Sequence, residues 1–328
     1  MENPKVAIIG AGNIGSELYK RVLELNWEVA FVVKHDGIYK NFTDKIDAPE
    51  NIGKYLEDVD LAFLAIPTFD DGSTAYKYLK TFLEKNIPAV TCEKGALGNY
   101  FYELEKYLPI IGYSATVGGG SRILRYAKER VTENTNEITL VLNGTLNYIF
   151  YKLSQGEKLE NVISQAQKLG YCEPGTKSAI DVINKEASGD VPLKVSVFFN
   201  ILRLSSDIIR AKDLTVSKVS DEDLEFLVKN AKDFRYFISI SKKEPIPEKN
   251  IGGFVFNSNG WWCLAGFRKA DNDFIKSLEN VNNGIEIKEN GSDGIYCLSG
   301  PGAGAGPTVS SMIKDAQILW NTKKLLKN

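Results

Sequence analysis

Histidine is almost missing from this 328-residue chain, and the only one is His35. Mechanisms that rest on a histidine base, a His/Asp pair or a serine-histidine nucleophile are therefore disfavoured. Lysine, carboxylate and bound water remain as proton carriers. Cysteine is sparse too. Cys92, Cys172, Cys263 and Cys297 lie far apart with no C-x-x-C spacing, which argues against a zinc site and a disulfide framework and for reduced thiols in a cytoplasmic protein. No signal-type opening is visible, and no apolar run approaches the roughly 20 residues of a membrane helix. An excess of either charge is also lacking: 40 lysines and arginines face 42 aspartates and glutamates, so nothing recruits nucleic acid or an anionic membrane. A small-molecule partner is expected.

What is present is ample core material, 43% hydrophobic against 25% charged, in a chain long enough for about two domains. The most informative stretch is Val6-Ala7-Ile8-Ile9-Gly10-Ala11-Gly12-Asn13-Ile14-Gly15, a buried-strand pattern running into G-x-G-x-x-G and then an amphipathic helix pattern. In such a strand-turn-helix Gly10 permits the sharp turn, Gly12 lets the backbone approach a pyrophosphate, and Gly15 lets helix and strand pack closely. Asn13 and Ile14 open the helix whose N–H groups would receive the phosphates. This reads as a dinucleotide site.

Residues 5 to about 130 alternate β-rich and helical runs, with strands expected near 6–9, 29–33, 61–66, 89–91 and 110–112 and helices near 14–25, 71–85 and 119–130. Alternation of this kind implies a doubly wound parallel sheet in an α/β domain. From Glu137 the rhythm changes to helices near 145–154, 158–169, 190–211 and 221–232 and to short strands between 236 and 298, the pattern of an α+β substrate and dimerisation domain. The expected division is 1–134, 135–299, and a C-terminal segment 300–328 that returns to the nucleotide domain, its helix near 308–326.

Several segments carry candidate chemistry. After the second strand, Lys34 suits the 2′-phosphate of NADP, while Asp36 suits the ribose hydroxyls of NAD; Lys34 tilts the expectation to NADP. Thr68, beyond the third strand, joins the cofactor-binding candidates. In Thr91-Cys92-Glu93-Lys94-Gly95 the carboxyl end of the fourth strand aims Lys94 at the ligand crevice. Asn143-Gly144-Thr145-Leu146-Asn147-Tyr148 places a small-residue turn at a helix start, with Thr145 able to cap or to offer a hydroxyl. Glu173 follows the helix end at Gly170-Tyr171, where a carboxylate opposes the helix dipole and calls for a cationic partner or ligand. Asp190 and Lys194, at i and i+4, share one face at the start of a strongly apolar helix. They read as an ordinary ion pair, or as a partly desolvated ammonium suited to general acid–base work.

Taken in order, these pieces resemble homoserine dehydrogenase: G-A-G-N-I-G, T-C-E-K-G-A-L, S-A-T-V-G-G-G, N-G-T-L-N-Y-I, A-Q-K-L-G-Y-C-E-P, D-V-P-L-K and G-P-G-A-G-A-G-P-T, spread from residue 6 to about 315. The resemblance implies a Rossmann-type nucleotide domain and an NAD(P)-dependent interconversion of L-aspartate 4-semialdehyde and L-homoserine, on the route to threonine and methionine. It implies Lys194 as the proton-transfer lysine with Asp190 beside it, Lys94 as a second lysine, and Glu173, Tyr171, Thr145 and Gly144 around the substrate. Gly302 would lie beside the cofactor, and a monovalent cation, Na+, would bind main-chain carbonyls of Ser114, Val117, Gly119 and Ser121. A homodimer joined through the substrate domain is likewise implied.

The chain departs from that pattern in three ways. Glu93 replaces the family's asparagine, which bears on how the nicotinamide amide is held. The linker from Glu173 to Asp190 is long, and Pro174-Gly175-Thr176-Lys177-Ser178 replaces an Asp-Pro-x-x-Asp stretch, so that Asp181 or Glu186 is left to supply the missing acid. No aspartate-kinase segment or small regulatory domain is expected. Another amino-acid dehydrogenase, acting for example on aspartate, and a dinucleotide sensor without turnover are the alternatives.

Overall fold

Lys5–Ile9 is apolar at every position after the first, so it suits the interior of a parallel sheet, where both faces are covered. The computed structural model describes residues 3–172, 178–247, 249–291 and 294–327, and there Lys5–Ile9 is β1, paired in parallel with β2 (Glu28–Lys34) and β5 (Leu61–Leu64). The chain divides into two compact units, Met1–Gly120 with Ala305–Asn328, and Ser121–Gly304.

In the first unit β3 (Gly37–Tyr39), β4 (Lys45–Asp47), β6 (Ala89–Thr91) and β7 (Ile111–Gly112) complete a sheet of order β4-β3-β2-β1-β5-β6-β7. Pairing is parallel from β2 to β7 and antiparallel where β3 and β4 extend the edge. The order of connection reverses between β1 and β5, which opens a crevice at the carboxyl ends of those strands. Helices α1 (Asn13–Glu24), α2 (Ser73–Leu83), α3 (Gly95–Asn99) and α4 (Phe101–Leu104) connect the strands. The C-terminal helix, Ala305–Lys327, returns to this unit and buries Val309, Met312, Ile313 and Ala316 against Val6, Ile8, Leu61, Phe63 and Val90.

The second unit is a six-stranded antiparallel sheet of order β10-β11-β9-β8-β12-β13, built from β8 (Thr135–Val141), β9 (Phe234–Ser241), β10 (Ile251–Ser258), β11 (Trp261–Lys269), β12 (Asn282–Glu289) and β13 (Ile295–Pro301). Its helices are α5 (Ile123–Arg130), α6 (Gly144–Ser154), α7 (Leu159–Lys168), α8 (Ala179–Lys185), α9 (Val191–Leu202), α10 (Asp221–Lys229) and α11 (Asp273–Ser277). α6 packs on the sheet, with the Phe150 ring centroid 4.5 Å from that of Phe267. α9, Val-Pro-Leu-Lys-Val-Ser-Val-Phe-Phe-Asn-Ile-Leu, is apolar almost all round and is accordingly buried almost all round.

Three expectations are corrected here. The helix expected over 190–211 ends at Leu202, because Arg203 turns left-handed at φ +55°, and it is preceded by a π-turn over Glu186–Asp190 and by α8. The first crossing between units falls at Gly120 rather than at residue 134, because α5 packs on α9 and β12. The return to the first unit begins at Ala305 rather than 300, and the last helix starts three residues earlier than the expected 308, since Pro307 is tolerated in a first turn. Among the described residues no helix is long and apolar enough to cross a membrane.

The C-terminal helix is also tied to the first unit by charge. Asp315, buried, accepts from the Ser114 amide and from the Ser114 hydroxyl, each at 2.7 Å. Asp315→Ala would leave two buried donors without that acceptor, at a cost of roughly 3 kcal/mol. A matching fall in the urea midpoint of the first unit's transition is expected; an unchanged midpoint refutes the role assigned to this contact.

Candidate functional site

The first unit carries a cleft of about 660 Å³ walled by Gly10, Gly12, Ser16, Lys34, His35, Phe42, Ile66, Phe69, Thr74 and Tyr78, among others. Gly10 stands at φ +106°, and a Cβ there would fall 2.3 Å from the Ala65 carbonyl oxygen, while one at Gly15 would fall 2.0 Å from the Gly10 carbonyl. A Cβ at Gly12 would meet nothing within 4 Å. The first and third glycines therefore serve the fold, whereas the second keeps a space open for a ligand. α1 starts at that space with no side-chain cap and no acidic residue in its first turn, which leaves its N–H groups and the positive end of its dipole for an anion. Asn13 is exposed and Ile14 half-buried in this turn. This arrangement fits a dinucleotide pyrophosphate.

At the far wall, the Lys34 ammonium lies 4.3 Å from the centroid of the Tyr39 ring and donates to the Phe42 carbonyl. His35 is exposed and lines the same cleft. Asp36 is not among the lining residues; the Tyr39 hydroxyl donates to it at 2.7 Å and holds its carboxyl below the usual carboxylate range. The Thr68 hydroxyl donates to Glu93 Oε1 at 2.5 Å. Glu93, only 2% exposed, also accepts from the amides of Gly95 at 2.5 Å and Ala96 at 2.9 Å. Its carboxylate thus ties the loop after β5 to the start of α3, and that accounts for a glutamate where the family pattern has asparagine. Lys94 is half-buried at the N-cap of α3. Beside it, burial pushes the Cys92 thiol up to about 12, so it stays neutral.

The second unit holds a buried cluster of charges. Lys194 Nζ lies 2.6 Å from Asp190 Oδ2 and donates to the Leu142 carbonyl at 2.7 Å, and the two side chains are 12% and 7% exposed. The next residue along β8's exit, Asn143, donates from Nδ2 to Glu186 Oε2 at 2.7 Å and to Asp190 Oδ2 at 2.8 Å. Its Oδ1 accepts from the Leu146 amide at 2.7 Å, so Asn143 is the N-cap of α6. The cap considered for Thr145 therefore belongs to Asn143, and the Thr145 hydroxyl donates instead to the Tyr171 carbonyl at 2.6 Å, bringing the end of α7 to the cluster. Gly144 packs against the Val281 carbonyl. Asn283 donates to the Leu142 carbonyl at 3.0 Å, and Gly302 rests on the Asn283 amide, where a Cβ would fall 2.2 Å from its Cγ. Gly302 thus packs within the second unit.

Glu173 lies outside the described residues. Of the two acids considered in its neighbourhood, Asp181 is exposed and closes a capping box with Ser178 at the start of α8, whereas Glu186 is 4% exposed and joins the cluster. Residue pattern alone does not single out Asn143 and Asn283 as site residues, although an asparagine directly before a helix start is a capping signal that points to Asn143. Ser114, Val117 and Gly119 fall in the first unit and Ser121 opens the second. The Ser114 amide and hydroxyl both donate to Asp315, so the carbonyl and the hydroxyl oxygen's lone pairs are what Ser114 can offer a cation. Among the described residues no group of three or more His, Cys, Asp or Glu is placed to hold a metal.

Residues 123–316 match a family described as Homoserine dehydrogenase. The chain belongs to the homoserine dehydrogenase family. An NAD(+)-dependent homoserine dehydrogenase of Pseudomonas canavaninivorans is 24% identical over 356 residues, covering 96% of each chain, and a homoserine dehydrogenase of Bacillus subtilis is 22% identical over 346 residues, covering 99% of this chain and 75% of that one. The crystal structure of homoserine dehydrogenase from Thermoplasma acidophilum superimposes with a TM-score of 0.75 at 17% identity, covering 97% of this chain and 99% of that chain. A hyperthermophilic archaeal homoserine dehydrogenase in complex with NADPH gives 0.69 at 20% identity over 98% of both. The family fold, a parallel nucleotide-type sheet with an antiparallel second sheet, is thereby established for this chain.

The open space at Gly12 separates two kinds of glycine in one motif. Gly12→Ala should leave the stability of the ligand-free protein within about 0.5 kcal/mol yet weaken dinucleotide binding, whereas Gly10→Ala should lower stability itself. Thermal melts with and without cofactor check both; equal destabilisation by the two variants would contradict the assignment.

Proposed function

We propose that this chain is an NAD(P)-dependent homoserine dehydrogenase that interconverts L-homoserine and L-aspartate 4-semialdehyde. The observation that carries the reading is the buried Lys194 ammonium, held at once by Asp190 and by the Leu142 carbonyl in the second unit of a family member. A bound nicotinamide would supply the hydride acceptor or donor for the substrate carbon. In the oxidative direction Lys194 acts as the neutral amine: its Nζ lone pair takes the hydroxyl proton as the hydride departs from carbon with the C–H electron pair, so the alcohol loses two hydrogens in all and the lysine becomes the ammonium; in reduction that ammonium returns the proton to the carbonyl oxygen. Asp190 orients the amine. The low exposure of the pair keeps bulk water from competing for the proton and strengthens the attraction between Nζ and developing negative charge on oxygen, an effect that one preorganised donor makes worth about 3 kcal/mol.

The cofactor is held by the turn at Gly10, Gly12 and Gly15 and by the start of α1. Lys34 in the cleft wall, with Asp36 turned to Tyr39, favours NADP over NAD. A sodium ion on the carbonyls of Ser114, Val117, Gly119 and Ser121 would order that loop and would supply no acid–base chemistry.

Oxidation of L-homoserine with NAD and NADP side by side, followed by absorbance of the reduced cofactor, tests the reading directly: turnover is expected, and saturable cofactor binding without it sinks the proposal. Lys194→Ala should lower kcat by about a hundredfold or more while leaving the cofactor Kd little changed. Lys34→Ala should lower the ratio of kcat/KM with NADP to that with NAD by roughly tenfold, the loss of one charged contact to a phosphate. An unaltered ratio would assign the preference elsewhere.

A further inference from the structure

Lys194 is anchored through a carbonyl that it shares with another residue. A carbonyl oxygen has two lone pairs, and the Leu142 oxygen accepts from Lys194 Nζ at 2.7 Å and from Asn283 Nδ2 at 3.0 Å. Register explains the second contact: β12 pairs Gly284 with Val141 of β8, so the preceding residue, Asn283, stands beside Leu142. Asn283 is fully buried, and its Oδ1 has no hydrogen-bond partner among the described residues. A buried acceptor without a donor is costly and an apolar side chain would avoid that cost, so stability does not explain the choice of asparagine. Turning the amide over brings no relief, because Oδ1 would then face the Leu142 oxygen.

Gly302 holds that amide in place. Past the Asn282–Pro301 pair of β12 and β13, the Gly302 amide donates to the Val281 carbonyl at 3.0 Å. A Cβ at Gly302 would fall 2.2 Å from Asn283 Cγ and 2.5 Å from its Nδ2. Gly302 is not left-handed, so that contact, and not a backbone conformation, asks for glycine. An ammonium has three N–H groups in tetrahedral directions. Among the described residues Asp190 and Leu142 take two of those on Lys194, which leaves the third direction for exchange of a proton with the substrate. With both lone pairs of the Leu142 oxygen open, Nζ could slide between them and the third direction would swing. The Asn283 N–H fills one and confines Nζ to the other. We propose that Asn283, clamped by Gly302, is a positioning residue for proton transfer, which fixes Nζ through the shared Leu142 carbonyl and, being fully buried, touches neither substrate nor cofactor. This rests on the homoserine dehydrogenase reading, and it gives Gly302 a task in the second unit that differs from the expected place beside the cofactor.

The test measures homoserine oxidation and cofactor Kd for Asn283→Ala, Gly302→Ala and the double variant, with thermal melts to establish folding. Asn283→Ala removes the donor and should lower kcat by roughly tenfold or more, the effect of a displaced reacting group. The KM for homoserine and the cofactor Kd should stay within about twofold of the original, since neither ligand loses a contact. Gly302→Ala pushes the amide off the Leu142 oxygen and should lower kcat to a similar extent. In the Asn283→Ala background the carboxamide is gone and the added methyl has room, so Gly302→Ala should cause no further loss there: the two substitutions couple instead of adding. Unaltered kcat in Asn283→Ala overturns the inference alone. So does a Gly302→Ala defect that persists in full without the carboxamide and appears as a raised cofactor Kd. Should Asn283→Ala fail to fold, Gly302→Ala decides by itself: a lowered kcat with unchanged cofactor Kd upholds the inference, and the reverse overturns it. Lack of homoserine oxidation by the unmodified protein overturns the functional reading and this inference together.

Discussion

A lysine ammonium enters an apolar interior only where an anion and further hydrogen-bond acceptors meet it, and in this protein that requirement is satisfied at one peptide. The Leu142 carbonyl takes Lys194, and the Asn143 side chain beside it takes Glu186 and Asp190. Everything around that point is arranged to deliver it. β8 ends there, α6 begins there with Asn143 as its cap, and α9 brings Asp190 and Lys194 in at its buried N-terminal end. Removing one member would leave a buried charge uncompensated, which costs far more than a surface ion pair is worth. The cluster therefore constrains the second unit's packing alongside its apolar core.

The first unit solves a different problem with backbone rather than side chains. Phosphates need N–H donors and room, and the cleft provides both through a turn whose outer glycines are demanded by neighbouring carbonyls while Gly12 faces open space. Side-chain charges there serve mostly to hold loops in place. Glu93 spends its carboxylate on Thr68 and on two amides of its own loop, and Asp36 is engaged by Tyr39, so Lys34 is the charged group left along the wall at that end.

Much of this architecture is legible in the residues. The apolar run into G-x-G-x-x-G, the change of rhythm near Glu137 and the i,i+4 spacing of Asp190 and Lys194 are local signals, and each element they point to is present. What local signals missed has a common cause. β3 and β4 are three residues each, too short for a period to show, and they exist because β2 offers an edge. The break in the helix expected over 190–211 follows from a left-handed Arg203, a conformation no periodicity reports.

The sequence by itself determined the inventory: one histidine, a glycine turn for phosphates, a lysine and two nearby acids entering an apolar helix, and an order of elements that places them in two units. Only the tertiary structure decided which acid matters. Asp181 and Glu186 are equivalent as letters, but one lies in an exposed cap and the other in the buried cluster, because the contacts that choose between them join residues 43, 47 and 52 positions apart in the chain. Separations of that length are set by sheet register and by the docking of α9, and no local pattern encodes them.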